Sequence, residues 1–268
     1  MVMLHAAFFD ASGKCEGFDI LTVAGAAAPM KKWERFDAQW REALADEKVK
    51  EFHATDFHSS KGEYAGWKGD KRRRSAFLVR LGKIIKQNTN KLFCCSVELA
   101  GWREVNEEYC LEEFFYSPYA LAGLGVVESV LKWAVKKRGQ IIFIFEDGDK
   151  GWEGLVKLCA RYQVIPNRAS KKIAIPCQAA DMIAWKTRIT GTNALRYVGQ
   201  MNKSSRDDEL DFIEASILKE LKGMDKVMVR PVKNGIFTAE NLRKTCELNK
   251  IPRRGKPVKL ERISQMPQ

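Results

Sequence analysis

Two short apolar runs in this chain stop at a carboxylate. LHAAFF (residues 4–9) leads into Asp10, and IIFIF (residues 141–145) leads into Glu146 and Asp147. Runs of five or six apolar residues bounded by turn residues have the length of strands rather than helices. A strand apolar on both faces belongs inside a sheet covered by helices. A carboxylate at its end is costly to bury unless a positive group compensates it. The chain is thereby directed toward a covered sheet with acidic groups gathered at strand ends.

The remaining pattern fills in that sheet. Residues 18–28 (FDILTVAGAAA) read as a second strand, stopped by Pro29 and able to pair with the first as an antiparallel hairpin. Trp33, Phe36, Trp40 and Leu44 recur at helical spacing, which predicts an amphipathic helix packed on the sheet. Residues 59–70 (SSKGEYAGWKGD) predict a flexible loop, and a helix opens at Arg72–Arg74 and runs to about Asn88. KLFCCSVE (91–98) is a third strand, and a long helix follows from Pro118 toward Gly139. The IIFIF strand is expected at the centre, then a helix over 151–162, a strand over 172–175 and a helix from Cys177 to Arg188. The order predicts an α/β fold: a mixed sheet flanked by helices, with a helical insert between strands two and three. Residues 1–190 form one domain in this reading. A helical extension spans 191–251, with helices near 207–222 and 238–249 and a strand near 226–230, and 252–268 is a basic tail.

Charge narrows the partners. The 46 Lys and Arg residues outnumber the 34 Asp and Glu, giving a net charge of +12, which favours polyanions. Seven cysteines without a CxxC pair read as reduced thiols of a cytoplasmic protein. The start lacks a basic n-region and no apolar run approaches membrane-spanning length, so neither a signal peptide nor a membrane partner is expected.

Four acidic clusters remain to be explained: Asp10 in FFDASG, Glu51 with His53 and Asp56 in EFHATDF, Glu146–Asp147–Asp149 in FEDGDKG, and Asp181 in QAADMIAWK. Neighbouring strand ends would bring Asp10 close to Glu146. Strand alternation sets Asp147 with Phe143 and Phe145, and Glu146 with Ile144, on opposite faces. Asp181, one turn into its helix, is either favoured there by the helix dipole or aimed at the sheet's carboxylates. Three or four converging carboxylates suit two Mg²⁺ or Mn²⁺ ions and phosphodiester chemistry. His53 is placed to shuttle a proton or bind phosphate. Glu128, on the long helix's apolar stripe, is a further ligand candidate. The three histidines have no HExxH spacing, and GxxxxGK[ST], GxGxxG and GxSxG are absent. For substrate grip, Tyr64, Trp67, Arg72, Arg73 and Arg74 combine stacking surface with charge, and Lys14 and Lys150 lie near proposed ligands.

FDASG after a strand, E-x-H in EFHATDF, the acidic end of FEDGDKG and Q-A-A-D opening a helix together resemble a family of RNase H-like domains of unknown function that begin with D-x-S-G. The resemblance covers about residues 4–190. It implies an RNase H-like fold and a metal-dependent nuclease, of a kind associated with mobile elements and defence systems. The acidic positions it implies are Asp10, Glu51, Glu146 or Asp149, and Asp181, with His53 alongside. The chain departs from it where Ala11 stands in place of a common Glu. RNase H itself takes a Glu from the helix after strand three, where Glu128 lies, whereas Glu51 comes from the insert. The expectation is therefore a hydrolase that cuts DNA or RNA with two metal ions, alone, as a homodimer or beside a defence-system partner. The alternatives are a non-catalytic module of the same fold that binds nucleic acid or protein, and a phosphoesterase acting on free nucleotides.

Overall fold

The computed structural model describes residues 4–13, 17–135, 140–198 and 235–254. Six strands form one mixed sheet: β1 (Leu4–Ser12), β2 (Ile20–Pro29), β3 (Lys91–Glu98), β4 (Gln140–Glu146), β5 (Asn167–Ala169) and β6 (Ile236–Phe237). Their spatial order is β5-β4-β1-β2-β3-β6. β2 runs antiparallel to both β1 and β3, while β4 runs parallel to β1, β5 to β4 and β6 to β3. Between β2 and β3 the chain forms α1 (Met30–Asp46), α2 (Ala54–Ser59), a 3-10 turn (Gly62–Trp67) and α3 (Lys71–Asn88). After β3 come α4 (Leu99–Tyr109), α5 (Leu111–Phe115) and α6 (Pro118–Val135). The remaining helices are α7 (Trp152–Ala160), α8 (Pro176–Val198) and α9 (Ala239–Leu248).

Alternation along the strands divides the interior into two apolar layers. Ala6, Phe8, Ala24, Ala26 and Leu92 point toward α1, α3 and α8. Ala7, Phe9, Val23, Phe93, Phe143 and Phe145 point toward α4, α6, α7 and α9. The small residues of β2 let α8 lie close across the sheet with Ala179, Ala180 and Ala184 buried. A side chain at Gly25 would stand 1.8 Å from the Phe8 carbonyl oxygen, so the β1–β2 pair admits only glycine there. Gly13 closes the FDASG turn at a φ of +90°, and a Cβ there would lie 2.1 Å from the Ile20 carbonyl oxygen.

Four expectations need correction. The IIFIF strand is not at the centre of the sheet: it lies second from one edge, between β1 and β5. Phe143 and Phe145 are buried, but Ile142 is 38% exposed, because only the three-residue β5 flanks β4 on its outer side. The strand expected at 172–175 is a turn, in which the amides of Ile173 and Ala174 both donate to the Ser170 carbonyl, and the strand lies earlier, at β5. The expected loop at 59–70 contains the 3-10 turn, whose aromatics are core residues. The boundary expected at residue 190 falls inside α8, and β6 joins the same sheet rather than a separate extension. The helix and strand expected near 207–222 and 226–230 lie outside the described residues, as does the tail beyond Arg254.

Candidate metal and phosphate site

Asp10 continues the parity of Ala6 and Phe8, and Glu146 that of Ile144, so both acids fall on the face covered by α8. The parallel register, in which Phe9 pairs with Phe145, sets the two strand ends side by side. After β4 the chain turns through Asp147 and Gly148, and Asp149 folds back into the interior, 7% exposed. Asp10, Glu146 and Asp149 each offer a carboxylate oxygen, and these oxygens lie within 4.8 Å of one another. Asp147 points outward instead: it pairs with Arg168 at 3.3 Å and caps its own turn by accepting the Gly148 amide.

Asp181 enters from α8. Its Oδ2 accepts the Ala54 amide at 3.0 Å and the Lys171 ammonium at 3.2 Å. The same Lys171 Nζ lies 3.4 Å from Asp10 Oδ2, so one ammonium bridges two carboxylates from different elements. Burial, and then the charge of Asp10, push the Asp181 carboxyl above its ordinary value; Lys171 and the Ala54 amide oppose that shift. Burial alone would lower the Lys171 ammonium, but Asp181, Asp10 and Glu146 outweigh it and hold the group charged well above the usual lysine value. On the opposite side, burial and the charges of Asp149, Asp10 and Glu146 push the Tyr119 hydroxyl upward, so it stays a protonated neighbour of the cluster.

Gln178, the first residue of the Q-A-A-D motif, fixes this arrangement, a role its sequence context does not signal. It is buried in α8, three residues before Asp181 and on the same face. Its Oε1 accepts from Trp40 Nε1 and from the Phe52 amide, each at 2.9 Å, and its Nε2 donates to the Lys171 carbonyl at 3.0 Å. Gln178 and Asp181 thus hold the alternate amides of Phe52 and Ala54, which docks the EFHATDF segment on α8. The docked segment turns Glu51, His53 and Asp56 into a cleft of about 500 Å³, shared with Glu63, Tyr64, Glu146, Lys171 and Lys172. His53 Nδ1 contacts Asp56 Oδ2 at 3.0 Å, with both side chains partly exposed.

The sequence candidates therefore separate. Asp10, Glu146 and Asp149 converge, Asp181 joins them through Lys171, and Glu51 and His53 line the same cleft. Glu128 does not take part; it accepts from the Tyr162 hydroxyl. Tyr64 and Trp67 are buried and pack on Phe57 and Phe77 at ring distances of 5.1 and 5.3 Å, so neither offers a surface for stacking bases. Arg74 is 2% exposed, donating to Ser60 and the His58 carbonyl with its guanidinium over the Phe57 ring. Arg73 pairs with Glu47 at 2.8 Å and covers Trp67. Arg72 and Lys150 remain exposed, and Lys14 lies outside the described residues. The helical spacing of Arg74, Phe77, Leu78 and Leu81 was the available signal that the third arginine faces inward.

Comparison with protein-family models, with curated proteins and with solved structures finds no match for this chain. Among the described residues no helix is long and apolar enough to cross a membrane. The six described cysteines are free thiols.

Proposed function

We propose that the cleft is the active site of a divalent-metal-dependent phosphodiesterase acting on nucleic acid. The observation that carries this reading is the group formed by Asp10, Glu146 and Asp149, whose oxygens gather at the ends of two parallel strands. An all-oxygen donor set of this kind fits Mg²⁺ or Mn²⁺ rather than zinc. The sheet supports the RNase H-like part of the reading: three antiparallel strands, then two parallel ones, in the order β5-β4-β1-β2-β3, with the acids at the ends of β1 and β4.

A divalent ion held there would supply Lewis-acid polarisation of a phosphoryl oxygen and a bound water of lowered pKa. The protein's own groups do the rest. Lys171 and Lys172 line the cleft and set positive charge against a phosphate. Asp56 engages Nδ1 of His53 and leaves the second ring nitrogen to hand a proton to a departing oxygen. The positive balance of the chain favours a polyanionic substrate. The test is cleavage of labelled single- and double-stranded DNA, RNA and hybrid, with free nucleotides as controls, under Mn²⁺ or Mg²⁺ and under chelation. We expect metal-dependent cleavage of a polymer, lost by at least about 100-fold in Asp10→Asn. Undiminished cleavage by a folded Asp10→Asn protein would sink the mechanism.

One observation favours a second reading, a non-catalytic binding module of the same fold. The Lys171 ammonium already neutralises part of the carboxylate charge without any ion. Absence of Mn²⁺ binding by a well-folded sample, measured calorimetrically, selects that reading.

A further inference from the structure

We propose that Lys171 is a built-in cation of the site, so that the centre takes one divalent ion rather than two. The inference rests on the metal-site reading above and sharpens it. In a two-ion phosphodiesterase the ions sit about 3.5–4 Å apart and share carboxylates. Here Asp10 would be the carboxylate to share. It belongs to the group with Glu146 and Asp149, and its Oδ2 also meets the Lys171 ammonium at 3.4 Å. Asp181, the acid that would complete a second ion's shell, gives its Oδ2 to the same ammonium at 3.2 Å and to the Ala54 amide at 3.0 Å. The place between Asp10 and Asp181 is therefore taken by a covalently attached positive charge.

Three features make Lys171 a built part of the site rather than a passing surface lysine. Its side chain is only 12% exposed. Its backbone carbonyl is fixed by buried Gln178, which also anchors the Glu51–His53 segment. It stands in the turn between β5 and α8, whose amides close on Ser170. Within the inner group, four carboxylates, one ammonium and one divalent ion would leave a net charge of about −1; the cleft edge adds Glu51, Asp56 and Glu63 against Lys172. An ammonium carries three N–H donors. Two serve Asp10 and Asp181, and the third is available to a phosphate oxygen in the cleft.

The experiment is calorimetric titration of the full chain with Mn²⁺ alone, in the wild type, Lys171→Arg and Lys171→Met, with thermal melting to verify folding. We expect one ion per chain in the wild type and in Lys171→Arg, and two in Lys171→Met. Two ions in the wild type would overturn the inference and leave the metal-site reading standing; that result needs no variant to fold. One ion in a folded Lys171→Met protein would also overturn it. No binding in any of the three removes the metal site itself, and the inference with it.

Discussion

At the scale of single residues, the site depends on a side chain that carries no charge. Gln178 satisfies three buried groups at once: the Trp40 indole, the Phe52 amide and the Lys171 carbonyl. Its replacement by Ala leaves those groups without partners in a dry interior, at a cost of about 3 kcal/mol. Urea denaturation of Gln178→Ala should show that loss as a lower midpoint at nearly unchanged slope; a change under about 1 kcal/mol would mean that water substitutes for the amide. Sequence made Asp10 and Glu146 visible because a carboxylate ending an apolar run contradicts its surroundings. Lys171 was invisible for the opposite reason, and Gln178 stood in the Q-A-A-D motif with no sign of its role. A glutamine near a helix start and a lysine in a polar turn look solvated, and the partners that bury them lie 138 and 161 residues away. Arg72, Arg73 and Arg74 show the same limit, since identical residues in a row have three different environments set by helix rotation.

At the scale of elements, β2 and α8 decide the architecture. β2 is buried along nearly its whole length, and its alanines and Gly25 allow α8 and the neighbouring strands to approach closely. Gly25→Ala would force the Phe8 backbone outward and break the β1 pairing that sets Asp10 in place. We expect that variant to be insoluble, or to melt more than about 10 °C lower than the wild type, a shift readable by circular dichroism. The strands were legible where side chains alternate or run apolar. β5 was not, because Asn-Arg-Ala has no apolar pattern and is a strand only through its pairing with β4. The segment 51–57 was legible in its chemistry but not in its placement, which hydrogen bonds from α8 supply.

At the scale of the whole molecule, the chain closes on itself through its C-terminal part. β6 extends the sheet beyond β3, and α9 packs on α4, burying Leu242, Cys246 and Ile251 in the layer that holds Trp102 and Val105. Arg243 pairs with Glu104 and Glu108 across that contact. A chain ending at residue 234 loses these three apolar side chains, of which Leu242 and Ile251 are each worth about 1.5–3 kcal/mol. It should melt about 10 °C or more below the full chain and bind an apolar dye through the uncovered α4 face; an unchanged melting curve would show that α9 is dispensable. The bridge from Lys171 to Asp10 has one more consequence, for the time at which the chain acquires its chemistry. A loop of 161 residues must close before the two groups meet, and such distant contacts form late and slowly. A chain still emerging from the ribosome carries Asp10 long before it carries the partners that would arm it. A site built in this way is incomplete until the whole chain has folded.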